Sequence, residues 1–447
     1  MPALPARDRA DACPGALRLH AADDGALARV RLPGGLLTAR QAVALADAAD
    51  ELGDGHLDIT SRGNVQLRGL PDGCGAALGA RLRKAGLLPS DRHDRIRNIV
   101  ASPLCGLDAG GAEADVQEWA RALDALLCAQ DAPNNLPNAG DLSELSGRFL
   151  FGLDDGRGDI AALRPDVTLI ASAGGGAYEG AALLCFGTEG PALRIAADDA
   201  PRAAAVAALA FLAAARESGT GAWRVRDLDP ERRPRPDRLA DRLASAGIGC
   251  ELVPDASLPF GSPAPPGLVH GRDGLWALSA AAPLGRLTTA QWRLLAEAAE
   301  QDGDGELRVT PWRGVVVPGL SAEAAAARLA ALAEAGLVTS AESPWHRAGA
   351  CAGRPGCVKS LADVRADASA CLTGARPGGP GGLPVYWSGC ERRCGHPGGR
   401  WVDVLATGEG YRVAVRDGAS DETDDEAAGT VSAAELADAV AAARTTT

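Results

Sequence analysis

Aromatic side chains are scarce in this 447-residue chain, 4% of the total, and lysine is almost absent: Lys84 and Lys359 are the two present. Nearly every positive charge is therefore an arginine, so an arginine at a given position says little by itself about guanidinium-specific chemistry. Bases as a class are outnumbered, 45 against 58 acids, and the formal charge is −13. Such a deficit excludes a general nucleic-acid or anionic-membrane binder, whose affinity depends on surplus Lys and Arg. No nucleic acid and no membrane are expected as partners, and an anionic ligand must be met by a local pocket. Long hydrophobic runs are also missing. The longest uncharged apolar stretch, Ala203 to Ala215, is too short to span a bilayer and reads as a buried helix. The first ten residues hold no apolar segment of secretory type, so a cytoplasmic location is expected. What the chain does have is length for about three domains, 46% hydrophobic residues and eleven cysteines. In a cytosolic chain of this size a disulfide framework is not expected, which leaves metal binding or burial to explain the thiols.

One internal repeat organises the sequence. The segment from Gly35 to Leu70 lies over Gly285 to Leu320 at a constant offset of 250, with 16 of 36 positions identical. Shared positions include Thr38/Thr288, Gln41/Gln291, the Gly-Asp-Gly triplets at 53–55 and 303–305, and Thr60/Thr310. The match continues through Ala85-Gly86-Leu87 with Ala335-Gly336-Leu337, and through Arg97 with Arg347. Thr38 and Thr288 are N-cap candidates before helices of three- and four-residue apolar spacing. His56 to Thr60 and Glu306 to Thr310 alternate as strands, and a second helix in each copy ends near Gly86 and Gly336. This helix-strand-strand-helix unit is half of a ferredoxin-like module. The spacing predicts an α+β fold built by tandem duplication of a ferredoxin-like half-module plus an α/β segment: half-modules at 12–88 and 268–338, larger segments at 89–227 and 339–447, and a Pro-rich, charged linker over 228–267. Strands are expected at Asp166 to Ser172 and Trp401 to Thr407. The acidic run Asp421 to Glu426 reads as a solvated loop.

Four cysteines concentrate in the second copy as Cys351-x5-Cys357 and Cys390-x3-Cys394, separated by 32 residues. Soft thiolates on two Gly- and Pro-rich turns suit an iron-sulfur cluster or tetrahedral zinc, and inert buried thiols are the bland alternative. Structural zinc draws on tighter C-x2 to C-x4 knuckles, so the wide first pair favours the cluster. Cys13, Cys74, Cys105, Cys128, Cys185, Cys250 and Cys371 stand singly among apolar neighbours and read as packing residues. Offset 250 sets Ala101 and Leu107 opposite Cys351 and Cys357, so one such site per chain is expected.

Together, Thr60-Ser-Arg-Gly, Arg97-Asn-Ile-Val-Ala-Ser-Pro-Leu, Leu145-Ser-Gly-Arg-Phe and the Cys-x5-Cys with Gly-Cys-x3-Cys-Gly resemble the sulfite/nitrite reductase superfamily over roughly residues 25 to 415. Within it, Ala350 to Ser369 and Trp387 to Gly398 are most similar to the precorrin-3B synthases of aerobic cobalamin biosynthesis. The resemblance implies a [4Fe-4S] cluster on Cys351, Cys357, Cys390 and Cys394, and O2-dependent hydroxylation of the tetrapyrrole precorrin-3A at C20 with closure of a γ-lactone. It further implies carboxylate-gripping roles for Arg62, Arg97 and Arg148. Arg313, Arg347, Arg392 and Arg393 are weaker candidates. A mononuclear non-heme iron is also implied. His56, His93, His346 and His396 are its nearest ligand candidates, with no facial triad among them, and His396 is alternatively a residue that tunes the cluster. No Gly-x-Gly-x-x-Gly follows a strand, and Ala173 to Ala177 reads as a hairpin turn, so NADH is expected to act through a separate reductase.

Two other readings stay open. In a siroheme-dependent sulfite or nitrite reductase, siroheme would be the added cofactor, with Cys394 at the bridging position. Against it, Leu150 stands where those enzymes carry a carboxylate-binding lysine, and Glu391-Arg-Arg393 differs from their short polar spacer. The other reading is a non-catalytic electron-transfer or zinc-stabilised module.

Overall fold

The computed structural model describes residues 11, 13–111, 114–129, 141–175, 178–187, 190–256, 258–373, 382–417, 430–432 and 434–445. The tip of the Gly-rich hairpin (176–177) and the acidic run at 421–426 lie outside the described residues.

Each repeat begins with the cap its sequence promises. Thr38 and Thr288 both form capping boxes with Gln41 and Gln291, opening helices Ala39–Leu52 and Thr289–Gln301. The two glutamines also reach the ends of the second helices: Gln41 Nε2 donates to the Ala85 carbonyl at 3.2 Å, and Gln291 Nε2 to the Ala335 carbonyl at 2.8 Å. Past each first helix, the Gly-Asp-Gly turn uses the left-handed region at Gly55 and Gly305, with φ of 75° and 82°. The carbonyls exposed there serve the opposite repeat: Gly55 O accepts from Thr289 N and Gly305 O from Ala39 N.

That exchange extends to the sheets. The first half-module orders its strands as His20–Ala22, Gly25–Val30, Val65–Leu70, His56–Ile59, and then Arg286–Thr288 from the second repeat. The second orders Gly267–His270, Trp276–Ala281, Gly314–Leu320, Glu306–Val309, and then Leu36–Thr38 from the first. The registers are equivalent by offset 250: Leu37 opposes Leu307 and Leu287 opposes Leu57. One apolar core consequently serves both repeats, with Leu45, Leu57, Val65 and Leu67 packed beside their counterparts Leu295, Leu307, Val315 and Val317.

The larger segments carry one sheet each. Ile99–Ala101, Phe151–Asp154 and Val167–Gly175 run parallel, and Tyr178–Phe186, Ala192–Ala196 and Cys250–Val253 continue antiparallel. In the second segment Ala348–Ala350, Val385–Ser388 and Arg400–Ala406 are parallel, and Tyr411–Asp417 and Thr430–Val431 complete the sheet. The stretch 228–267, expected as a linker, instead carries helix Pro236–Ser245 and the edge strand Cys250–Val253. Pro236 occupies the first helical turn, where its missing N–H costs nothing, and Leu239 and Leu243 are buried. Ala203 to Ala215 lies inside the largely buried helix Ala200–Ser218. Among the described residues no helix is long and apolar enough to cross a membrane.

Candidate active site

Two adjacent parallel strands deliver the cysteines. Cys351 directly follows Ala348–Ala350, Cys390 follows Val385–Ser388 by two residues, and the two strand ends share one edge of the sheet. Cys351 N donates to the Trp387 carbonyl at 3.0 Å, and Gly389 N donates to Cys351 Sγ at 3.2 Å. Cys357 comes back through a loop anchored by Ser360 N on the Cys357 carbonyl and Leu361 N on the Gly389 carbonyl. Gly389 must lack a side chain, because a Cβ there would overlap Ser360 Oγ. Cys351, Cys357 and Cys390 are half-buried and Cys394 is exposed. Burial raises the Cys351 thiol, the Gly389 and Gly353 amides oppose that rise, and Cys394 and Cys390 add to it.

This donor set fits an iron-sulfur cluster: four thiols from two turns, with a backbone amide already on one sulfur. A single tetrahedral zinc would bring its sulfurs within about 3.8 Å of one another, given Zn–S bonds of about 2.3 Å. Among the described residues no three of the cysteine sulfurs lie within 4.8 Å of each other. The single cysteines behave differently. Burial pushes Cys105 up to about 11 and Cys185 up to about 12, as expected of inert packing thiols.

The structure divides the candidate arginines. Arg62, on the turn after His56–Ile59, donates to the Gly147 carbonyl at 3.4 Å. Its pKa falls to about 9, from burial first and then from Arg224 and Arg31. Arg29 falls to about 10 for the same reason, with Arg31 and Arg148 nearby. Arg148 lies over Trp223, 4.7 Å from the ring centroid, at the exposed edge of this group. Arg29 Nε and Arg31 Nη1 are buried without a hydrogen-bond partner. Among the described residues, the hydrogen bonds of Arg31 go to carbonyls and to Cys13 Sγ, those of Arg29 to Gln66 and Cys13, and none to a carboxylate. Two members have acidic company: Arg224 Nε lies 2.5 Å from Asp166 Oδ2, and the exposed Arg148 has its Nε 3.8 Å from Asp11 Oδ1. The outcome is a cluster of guanidinium groups short of negative charge. Sequence reasoning missed Arg29, Arg31 and Arg224. The alternation Arg29-x-Arg31, which sets both on one face of an extended chain, was the available signal.

Arg97 is not part of this group. It is buried, holds Asp124 through Nε and Nη2 at 2.6 and 2.7 Å, and donates to the Leu87 carbonyl at 3.0 Å, which occupies its fork internally. Arg313 also lies elsewhere, its Nη2 2.6 Å from the Gly395 carbonyl in the cysteine loop. Arg393 bridges Asp403 and Glu391, Arg347 donates to the Gly382 carbonyl, and Arg392 is exposed. The histidines are not gathered. His56 binds the Asp54 carbonyl, His93 meets Ser90 Oγ, and His346 is lowered to about 4 by burial beside Arg347 and Arg444. His396 stacks on Trp401, 5.1 Å between centroids. Among the described residues, the set of three candidate metal ligands within 4.8 Å of one another is Asp154, Asp155 and Asp159, which contains no histidine.

Leu150 is buried with Val100 and Ile160, against Leu163 and Trp312. Trp312 is the offset-250 counterpart of Arg62, so the second repeat offers an indole where the first offers a charge.

A duplicated half-module with a four-cysteine centre on one of two matching segments defines a class. The ferredoxin-like half domain of nitrite and sulfite reductases matches at residues 20–85 and again at 270–335. It is similar to a precorrin-3B synthase of Sinorhizobium sp, 27% identical over 418 residues, 92% of this chain and 84% of that one. It is similar as well to the ferredoxin–nitrite reductase of Synechococcus elongatus, 27% identical over 83% of this chain and 74% of that one. The chloroplastic enzyme of Zea mays is 27% identical over 82% and 67%. These relatives are oxidoreductases. The NirA protein of Mycobacterium tuberculosis shares the fold, with a TM-score of 0.64 at 18% identity over 92% of this chain and 79% of that one.

Proposed function

We propose that this chain is a precorrin-3B synthase, adding oxygen from O2 to precorrin-3A at C20 while the ring A acetate closes a γ-lactone, in aerobic cobalamin biosynthesis. One oxygen atom of O2 enters the product and the other leaves as water, with two electrons and two protons supplied from outside. The observation that carries this reading is the group Arg29, Arg31 and Arg62, which among the described residues have no carboxylate in an ion pair, with Arg148 beside Asp11 at its exposed edge. A macrocycle bearing acetate and propionate arms provides the missing anions, and guanidinium forks grip carboxylates through paired, charge-assisted hydrogen bonds. Arg62 stays protonated at neutral pH despite its lowered pKa, so it is available for that grip.

Cys351, Cys357, Cys390 and Cys394 would hold the [4Fe-4S] cluster, which when bound passes electrons singly. The Gly389 amide on Cys351 Sγ stabilises thiolate character there. Electrons come from a separate NADH-dependent reductase in the cytoplasm. The described histidines do not assemble a site for a second iron, and no step is assigned to one.

A siroheme-dependent nitrite or sulfite reductase is the second reading, favoured by the similarity to ferredoxin–nitrite reductases. Leu150 speaks against it: 4% exposed in an apolar cluster, it offers no cation to a carboxylate. The test is to purify the full chain without oxygen and give it precorrin-3A, O2 and a reductant. A product heavier by one oxygen atom is expected. Intense siroheme bands in the isolated protein, with nitrite or sulfite reduction and no oxygenated product, would establish the alternative.

A further inference from the structure

Arg313 occupies the place of Gly63 in the repeat and keeps that glycine's backbone, φ 61° against 63°. A left-handed residue with a long side chain is strained, by about 1 kcal/mol or more, unless its surroundings fix it. Here they do. A Cβ on Gly285 would overlap Arg313 Cδ, and a Cβ on Gly349 would come within 3.3 Å of its Nη1, so the side chain threads between two glycines. At the far end Nη2 donates to the Gly395 carbonyl at 2.6 Å, and the guanidinium lies 5.3 Å from the centroid of the Tyr386 ring. Tyr386 is buried and donates its hydroxyl to the Cys394 carbonyl at 2.7 Å. Two consecutive carbonyls, those of Cys394 and Gly395, are thus held by side chains from two different strands or turns. Among the described residues Arg313 has a carbonyl and a ring face as partners, and no carboxylate.

We propose that Arg313 and Tyr386 are positioning residues of the cluster centre. They fix the exposed fourth cysteine, and the charge of Arg313, left without an acid, favours the reduced cluster. This rests on the reading of the four cysteines as [4Fe-4S] ligands. Reduction adds a negative charge to the cluster, and a half-buried cation bonded to the residue next to a ligand stabilises that charge with less solvent screening than a surface cation would. Arg313 therefore serves the metal centre rather than the substrate carboxylates.

The duplication supplies the test variant. Arg313→Gly installs the residue that the first repeat carries at this φ, so it relieves strain and should fold. Wild type, Arg313→Gly, Arg313→Lys and Tyr386→Phe are purified as full chains without oxygen, assayed for iron and labile sulfide, and titrated by EPR against potential. At the wild-type midpoint, Arg313→Gly is expected to show a reduced-to-oxidised ratio about tenfold lower, a shift of about 59 mV for one electron. Arg313→Lys, which keeps the charge, should recover most of that shift. Tyr386→Phe should lose iron to a chelator severalfold faster than wild type. Variants that retain iron and titrate at the wild-type potential, with wild-type chelation rates, overturn the proposal while leaving the cluster assignment intact. A wild-type chain without iron and sulfide overturns the cluster reading itself.

Discussion

Trp292 donates its indole N–H to the Ala42 carbonyl at 2.9 Å, and the two residues hold the same position in the two repeats. Where the first helices of the two repeats meet, the repeat symmetry is therefore broken: one fully buried indole packs where its counterpart is a methyl group. Trp292→Ala should destabilise the chain by about 3–5 kcal/mol through the cavity it opens. Trp292→Phe should cost about 1–2 kcal/mol, chiefly for the lost hydrogen bond. Urea unfolding followed by circular dichroism measures both, and equal costs for the two variants would show that packing there is loose.

Arg62 and Arg97 look alike in sequence and should separate in experiment. The charge of Arg62 is a cost in the fold, since burial and neighbouring arginines lower its pKa to about 9. Arg62→Gln should leave stability equal or higher and weaken binding of a porphyrin octacarboxylate by about tenfold, the scale of one charge-assisted contact. In wild type that affinity should fall as pH rises through about 9, where Arg62 loses its proton, and the variant should lack this step. Arg97→Gln should behave in the opposite way. It strands Asp124 beside a buried void and should cost about 3 kcal/mol of stability with little change in binding. Fluorescence titration and urea unfolding of both variants decide the matter.

That contrast shows which parts of the molecule a sequence exposes. Thr38, Gln41 and the Gly-Asp-Gly turn were legible because their work is local: a cap three residues long and a left-handed glycine. The pairing of Leu36–Thr38 with Glu306–Val309 spans some 270 residues and leaves no periodicity behind, so repeat symmetry hinted at it without fixing it. The cysteine spacing was legible because ligand residues are rare and clustered. The arginines were not, because motif position cannot reveal that Asp124, on the helix Val116–Cys128, already fills the fork of Arg97. Pro236 misled for a related reason: proline breaks a helix interior but starts a helix equally well.

The cysteines should divide by environment. Cys351→Ser and Cys394→Ser are expected to lose most iron and labile sulfide, because a cubane needs its four thiolates. Cys105→Ser and Cys185→Ser should retain both in full, their thiols being buried and pushed up to about 11 and 12. Metal and sulfide analysis of the four variants is sufficient, and full retention in Cys394→Ser would remove it from the ligand set.

The first segment shows what stands where the second holds its cysteines. Its parallel strands Ile99–Ala101 and Phe151–Asp154 lead into Ser102 and into Asp154, Asp155 and Asp159, as the matching strands lead into Cys351 and Cys390. Asp154 accepts four backbone amides, from Gly156, Gly158, Ile160 and Ala161, and Asp155 is bound by Arg157. Asp159 has Ser102 Oγ at 2.6 Å, and burial, reinforced by Asp154 and Asp155, raises it from 3.8 to about 7. A carboxyl with a raised folded pKa contributes stability that is complete below its unfolded value and is lost as pH climbs through the folded one. Wild type should therefore lose stability between pH 5 and about 7.5, by at most about 1.4 kcal/mol per pH unit from this group. Asp159→Asn keeps an acceptor for Ser102 without the charge, and should flatten that slope and be the more stable protein at pH 8. Urea midpoints for both proteins across this range provide the measurement. Parallel slopes would mean that Asp159 ionises in the fold much as it does in the unfolded chain, and that the Ser102 and backbone dipoles around it hold the charge.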